Sequence, residues 1–280
     1  MNKIICVVDN KALKSTGLKT EHGLAFWIET KKGTILFDTG QTADVLSHNM
    51  SLLNLSVKDI DAVAISHAHY DHTGGLEAVL PENPNLIMYA NEDVFRPKYS
   101  LRDGKYNPSG FEMSREEYTR RVEVRLSGMP MEIFPNLWTT GEIIQRVEPE
   151  GRSSTHFVRD GEGWQPDPYR DDMSLVLKLQ EGLVVICGCC HAGLLNTLAH
   201  VEENFTGKIV TVMGGTHLMT ADGRLLDHVI NVLDERYSDL LFYLNHCTGD
   251  DAIKALANAF GERVQPFPAG AVVIFNDQER

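Results

Sequence analysis

No apolar run in this 280-residue chain approaches the roughly eighteen consecutive positions that a membrane-spanning helix needs. The opening MNKIICVVDN has only a short apolar stretch before acidic and amide side chains, without a small-residue cleavage pattern. A soluble, cytoplasmic protein with no membrane partner is the expectation. Positive charge is scarce as well: 26 Lys and Arg face 39 Asp and Glu, a formal net charge of −13. Such a surface repels phosphate backbones unless basic residues gather locally, so nucleic acid is not an expected partner. Of five cysteines, three crowd into Cys187, Cys189 and Cys190, which does not make the spaced pairs of a small secreted disulfide scaffold. A reducing compartment suits them better. No internal repeat and no low-complexity tract interrupts the chain.

With 42% hydrophobic residues the chain can bury a sizeable core, and residues 1–280 read as one large domain. Apolar, β-rich runs at 3–8, 24–30 and 33–38, the last two joined by Lys31-Lys32-Gly33, predict opening strands and a hairpin. Spacing through Val45, Leu46, Leu52 and Leu53 predicts a helix over 41–53, and 61–66 a short buried strand. A short helix over 73–80, a strand at 86–89 and two short strands within 131–140 follow. Beyond that, strands at 174–180, 183–187, 208–213, 240–244 and 271–275 are interspersed with helices at 192–204, 222–236 and 249–260. The pattern predicts an α/β (α+β) fold of two sheets faced by helices, a four-layer αββα sandwich.

Two stretches break the regularity. Residues 95–125 hold eight Lys or Arg against five Asp or Glu, and residues 146–172 are rich in Gly, Pro, Ser and Asp around Arg152, His156, Arg159, Trp164 and Arg170. Loops this long within a compact domain are usually functional or disordered.

The densest chemistry is Ser66-His67-Ala68-His69-Tyr70-Asp71-His72, three imidazoles and a carboxylate just after a buried strand. Imidazole nitrogen and carboxylate oxygen suit zinc, manganese and iron(II), and a turn beyond a strand end can aim successive side chains at a pair of ions. Three more histidines, His191, His217 and His246, each follow an apolar strand.

The His-X-His-X-Asp-His pattern resembles the metallo-β-lactamase superfamily and, with it, the αββα sandwich. The resemblance implies that His67 and His69 serve one metal, and Asp71 and His72 a second. Leu36-Phe37-Asp38-Thr39-Gly40 resembles the family's strand-ending Asp-X-Gly element, whose aspartate orients a ligand histidine. His246, within Asn245-His246-Cys247-Thr248-Gly249, looks like the last family ligand, and His191, within Gly188-Cys189-Cys190-His191-Ala192-Gly193, like another. His217 stays open between metal ligand, neutral donor over the substrate and buried structural histidine. A bridging ligand is expected too; Cys189 and Asp172 stand at suitable places, neither a clean match. Glu21-His22-Gly23-Leu24, Asp172-Met173-Ser174-Leu175 and Gly214-Gly215-Thr216-His217-Leu218 narrow the likeness to the dihydropteroate-synthase-like branch. That branch includes archaeal 7,8-dihydropterin-6-methyl-ribofuranosylaminobenzene-5′-phosphate synthases, although one fold hosts many reactions.

What the resemblance implies is a metallohydrolase with two divalent transition-metal ions, zinc first with manganese or iron as alternatives, that activate a bridging water. Asp71 would bind metal and orient the nucleophile; His217, and also His22, would donate to the substrate. The substrate would be a small anionic ester, lactone or phosphoester, or a pterin or aminobenzoate-phosphate precursor. The alternative is a metal-binding effector or sensor with little turnover. Residues 95–125 and 146–172 are expected to form a lid over the site, with Arg96, Lys98, Arg102 and Lys105 favouring an anion.

Overall fold

The computed structural model describes residues 1–111, 114–161 and 163–276; positions 112, 113 and 162 of the two irregular stretches lie outside them. The chain begins with antiparallel strands β1 (Asn2–Val8), β2 (Ala25–Thr30) and β3 (Gly33–Phe37). Helix α1 (Ala43–Leu52) follows, capped by the Thr42 hydroxyl, which accepts from the Val45 N–H. It buries Leu46 and Met50, four residues apart and therefore on one face. Next come β4 (Ala62–Ala64), two single-turn helices α2 (Tyr70–Thr73) and α3 (Leu76–Val79), and β5 (Ile87–Ala90). Strands β6 (Lys98–Arg102) and β7 (Lys105–Pro108) lead to α4 (Arg115–Thr119), which begins with a Ser114/Glu117 capping box, and β8 (Glu123–Leu126).

The second half contains β9 (Glu132–Phe134), β10 (Leu137–Thr139), β11 (His156–Asp160), β12 (Gly163–Pro166), β13 (Ser174–Lys178) and β14 (Leu183–Cys187). It ends with α5 (Leu194–Asn204), β15 (Ile209–Gly214), α6 (Gly223–Arg236), β16 (Leu241–Leu244), α7 (Asp250–Phe260), β17 (Val264–Pro266) and β18 (Val272–Phe275). One seven-stranded sheet runs β18-β1-β2-β3-β4-β5-β8 and the other β17-β16-β15-β14-β13-β10-β9. The αββα layering expected from the sequence is present. Phe26, Ile28, Ile35 and Phe37 of the first sheet meet Leu175, Leu177, Val184, Ile186 and Met213 of the second in a central core. Leu46, Met50, Leu76 and Val79 cover the outer face of the first sheet, while Leu198, Val229, Leu233 and Leu256 cover that of the second.

Parallel pairing decides where the functional segments emerge. Phe37 pairs with Ala64, so Asp38 and the histidine cluster leave the first sheet at the same edge. In the second sheet Cys187 pairs with Gly214 and Gly214 with Leu244, which sets the starts of the His191, His217 and His246 segments side by side. Antiparallel β13 enters at that edge too, because Ser174 pairs with Cys187. Parallel strands share their carboxyl ends, so residues far apart in sequence meet at one rim.

The structure departs from the sequence expectation in three places. The helix over 73–80 is split at Gly74-Gly75, where the chain lies against the backbone of Thr39 and Gln41 so closely that a Cβ on either glycine would overlap a carbonyl oxygen. β17 goes unanticipated because its Val-Gln-Pro has no apolar run. The two irregular stretches are largely strand: β8 extends the first sheet beside β5, and β12-β11-β6-β7 form a separate four-stranded sheet drawn from both stretches. Its pairs are aromatic, with Tyr106 stacked on Trp164 at 3.8 Å and Tyr99 edge-on to it.

A buried cation ties this small sheet to the sandwich. Lys98, expected as one of the lid cations favouring an anionic substrate, is instead 2% exposed. Its Nζ donates to both Asp167 carboxylate oxygens at 3.1 and 3.0 Å and to Asp171 Oδ1 at 2.7 Å. Asp171 Oδ2 in turn accepts the Ala68 N–H, inside the histidine cluster. Removing one member of such a network strands charges away from water. Lys98→Ala should therefore lower unfolding stability by about 3–5 kcal/mol in denaturant titrations, whereas cutting the exposed Arg170–Glu142 pair should cost at most about 1 kcal/mol. Equal losses would contradict this assignment.

Candidate metal centre and cleft

Asp38 organises the site. Its carboxylate is wholly buried and accepts three hydrogen bonds of 2.7 Å, from the Ser66 N–H, the Ser66 hydroxyl and His72 Nδ1. Ser66 Oγ is also 2.9 Å from His67 Nδ1. With Nδ1 of His72 committed to Asp38, its Nε2 is turned towards Cys189 Sγ at 3.2 Å and Asp71 Oδ2 at 3.5 Å. Gly188 allows this approach, since a Cβ there would overlap the Ser66 hydroxyl.

His191 and His246 are held in the same manner, with Nδ1 anchored and Nε2 left without a partner. His191 Nδ1 donates to the Gly151 carbonyl at 2.8 Å, and its Nε2 is buried without a hydrogen-bond partner. His246 Nδ1 lies 2.9 Å from Asn10 Oδ1, its backbone N–H donates to Asp9, and its Nε2 is likewise unpartnered, 3.5 Å from Asp71 Oδ2. His69 Nε2 is a third such atom, while His69 Nδ1 stands 3.0 Å from His67 Nε2. Two nitrogens sharing one tetrahedral ion at roughly 2 Å each would stand roughly 3.3 Å apart, so the histidine pair is spaced as ligands are.

Among the described residues, three groups place their donor atoms within 4.8 Å of one another: His67, Cys189 and His191; His72, Cys189 and His246; His22, Asp71 and His246. Cys189 belongs to two of them and His246 to two. The donors are imidazoles, a carboxylate and a thiol, a set that fits divalent transition metals, and the orphaned buried nitrogens have no other satisfaction. Of the residues expected from sequence, His67, His72, Asp71, His191 and His246 fall in these groups. His69 adjoins them, and His217 belongs to none. Asp172 is also outside: its Oδ2 accepts the Ala192 N–H at 2.8 Å, and burial lifts its carboxyl to about 6.

Charge in the metal-free site follows from packing. Burial drives His67, His69 and His191 well below the ordinary histidine range, His67 and His191 further by neighbouring imidazoles and His69 by His156. His217 and His246 fall to about 4, mainly through burial. His72 goes the other way. Burial disfavours its cation, but Asp38 and Asp71 overcome that and hold it at about 9. For Asp71 burial works upward and is outweighed by His72 and His246, which keep the carboxylate ionised.

These residues floor a cleft of about 230 Å³. His217 faces it with a buried, unpartnered Nδ1, beside the His191 ring at 4.4 Å. The small sheet supplies the opposite wall through Ser100, Arg102 and His156. His156 was legible in the sequence only as one of several polar residues in a long loop; here its ring lies 4.5 Å from His69 and its Nδ1 meets the Tyr169 hydroxyl at 2.9 Å. Asp9 and Asn10, which support His246, carried no sequence signal. Of nine non-glycine residues with positive φ among the described residues, Asp38, Tyr169, Cys190, His217 and His246 surround this site. Such strain persists where the surrounding structure enforces it, and it gathers at functional sites.

A family model of the metallo-beta-lactamase superfamily matches residues 18–192, and the chain belongs to that superfamily. Within it, the chain is 28% identical to the 7,8-dihydropterin-6-methyl-4-(beta-D-ribofuranosyl)-aminobenzene-5′-phosphate synthase of Methanocaldococcus jannaschii, over 98% of this chain and 96% of that protein. A second, uncharacterized protein of the same organism is 28% identical over 90% of this chain and 92% of its own length. The crystal structure of Tm1679, described as a metal-dependent hydrolase of the beta-lactamase superfamily, superposes with a TM-score of 0.84 at 25% identity, covering 99% of this chain and all of that one.

Because the fold keeps His72 cationic between 6.5, its ordinary value, and about 9, its contribution to stability is complete below 6.5 and is lost as pH rises through about 9. Metal-stripped protein should therefore melt at progressively lower temperature from about pH 7 to about pH 9, and Asp38→Asn should flatten that slope. Parallel slopes in the two proteins would refute the link. A ligand histidine without its supporting carboxylate also binds metal more weakly, by roughly 10- to 100-fold, so Asp38→Asn should show that loss in chelator competition.

Proposed function

We propose that this chain is a metal-dependent hydrolase-type enzyme acting on a small anionic ester, lactone or phosphoester. The observation that carries this reading is the convergence of His67, His72, His191 and His246 from three strand ends around Cys189, with the Nε2 atoms of His191 and His246 buried and unpartnered. In this reading His67, His69 and His191 would hold one divalent ion and Asp71, His72 and His246 the other, with Cys189, a member of donor groups on both sides, available to either. Such ions, zinc first, supply Lewis acidity and bring the pKa of a water nucleophile towards neutrality when bound.

The protein's own groups do the rest. Asp71 would ligate through one carboxylate oxygen and orient the nucleophile through the other. Asp38 and the Gly151 carbonyl fix which nitrogen His72 and His191 present. His217, neutral at physiological pH with a pKa of about 4, offers Nδ1 to the substrate as a hydrogen-bond group. It is too weak a base to stand ready as an imidazolium acid at neutral pH. The four-stranded sheet acts as a lid that limits water access and shapes the substrate. The synthase named among the relatives extends the candidate substrates to pterin or aminobenzoate-phosphate precursors.

Metal analysis should return close to two transition-metal ions per chain, since the seven side chains exceed what one tetrahedral ion takes. His67→Ala should remove most of this metal and His217→Ala little. Cys189→Ser should weaken retention of both ions. Only a trace of metal after reconstitution would overturn the reading. The loaded protein should then turn over a member of an ester, lactone and phosphodiester panel; full metal with no turnover would instead favour an effector or sensor role.

A further inference from the structure

The wall of the cleft opposite the histidines is built from β6, whose side chains alternate between faces. Lys98, Ser100 and Arg102 share one face, with Tyr99 and Leu101 on the other. Lys98 is spent on Asp167 and Asp171, but Ser100 and Arg102 line the cleft, and Ser100 pairs across the sheet with His156, which meets His69. The face thus runs from the buried ion network past the histidines to an exposed guanidinium.

Arg102 differs from five other arginines of the two irregular stretches. Arg96, Arg121, Arg125, Arg152 and Arg170 each meet a carboxylate, on Asp93, Glu77, Glu123, Glu150 and Glu142. Arg102 instead donates from Nε to Ser100 Oγ at 3.3 Å, and it is the sole Lys or Arg among the described residues lining the cleft. That contact uses Ser100 as acceptor, so its hydroxyl proton is free to donate. Ser109 also lines the cleft, is 4% exposed, and its Oγ has no hydrogen-bond partner. A buried hydroxyl in that state is destabilising unless something fills the position.

We infer that Arg102, Ser100 and Ser109 anchor a terminal phosphate monoester group of the substrate, at the lid wall and apart from the bond cleaved at the histidines. The guanidinium and two hydroxyls are separate donors, which suits three terminal oxygens better than the two of a carboxylate. In a chain of net charge −13 a carboxylate-free guanidinium over a substrate cleft is a specificity element, because it selects for an anion that the rest of the surface repels. This assignment rests on the cleft being the substrate site, as proposed above.

The test is calorimetric titration of inorganic phosphate into the full chain after chelation, with folding checked by circular dichroism, so that bound metal contributes nothing. Arg102→Ala should weaken binding by roughly tenfold or more, the usual worth of a charged hydrogen bond. Ser109→Ala should weaken it several-fold while leaving thermal stability unchanged or raised, since it deletes an unsatisfied group. Arg96→Ala should change nothing, and acetate should bind more weakly than phosphate throughout. Absence of phosphate binding to the unsubstituted chain, equal binding by Arg102→Ala, or acetate binding as well as phosphate would each overturn the anchor. Failure of the hydrolase reading would show separately, in metal content and turnover, with the phosphate titrations unaffected.

Discussion

The Asp38 carboxylate is the constraint on which the site depends. A buried carboxylate needs several donors, and Asp38 obtains them from the Ser66 backbone, the Ser66 hydroxyl and His72. These bonds fix the direction in which the chain leaves β4 and the nitrogen His72 presents, and they reach His67 through Ser66 Oγ. The positive φ of Asp38, 57°, is the local strain that this network stabilises. A shorter side chain would not span the gap, and an amide could not accept from three donors in the same geometry.

Around that anchor the two sheets act as a jig. Parallel pairing of β3 with β4, and of β14 with β15 and β16, delivers the polar segments to one rim while Phe37, Ile186 and Met213 bury the centre behind them. The rim is rigid because the strands feeding it are packed on both faces. The small sheet is attached differently, through the Lys98–Asp167–Asp171 network and the Ala68 amide. Its link to the histidine cluster is electrostatic and hydrogen-bonded, so the geometry of the cleft wall and that of the histidines are coupled.

The charge pattern is consistent with a site built for cations. Five of the six clustered histidines are held neutral and keep lone pairs available, as ligation requires. His72 alone is held as a cation, by carboxylates that would equally stabilise a bound ion. In the proposed function, uptake of metal at His72 would displace a proton, and the same acidic neighbours would serve both states.

The sequence alone determined the layered fold, most strands and helices of the sandwich, and the identity of the histidine cluster, because those signals are local: apolar periodicity, glycine turns and dense imidazole spacing. His191 and His246 were legible since each directly follows an apolar strand. The wall of the cleft was not. The β6–β7 and β11–β12 hairpins are local, but they join only where β6 pairs with β11 across more than fifty residues, and their polar and aromatic alternation has meaning only once that partner strand is in place. Lys98 and Arg102 look alike in sequence, two basic residues in one charged stretch. Only the tertiary structure decided that one is buried against Asp167 and Asp171 and the other faces the cleft, because burial of a charge depends on which carboxylates the fold brings to it. Cys189 was separated from Asp172 on the same ground: strand ends converge in three dimensions, and whether a thiol or a carboxylate arrives between the imidazoles is set by the register of β13 against β14.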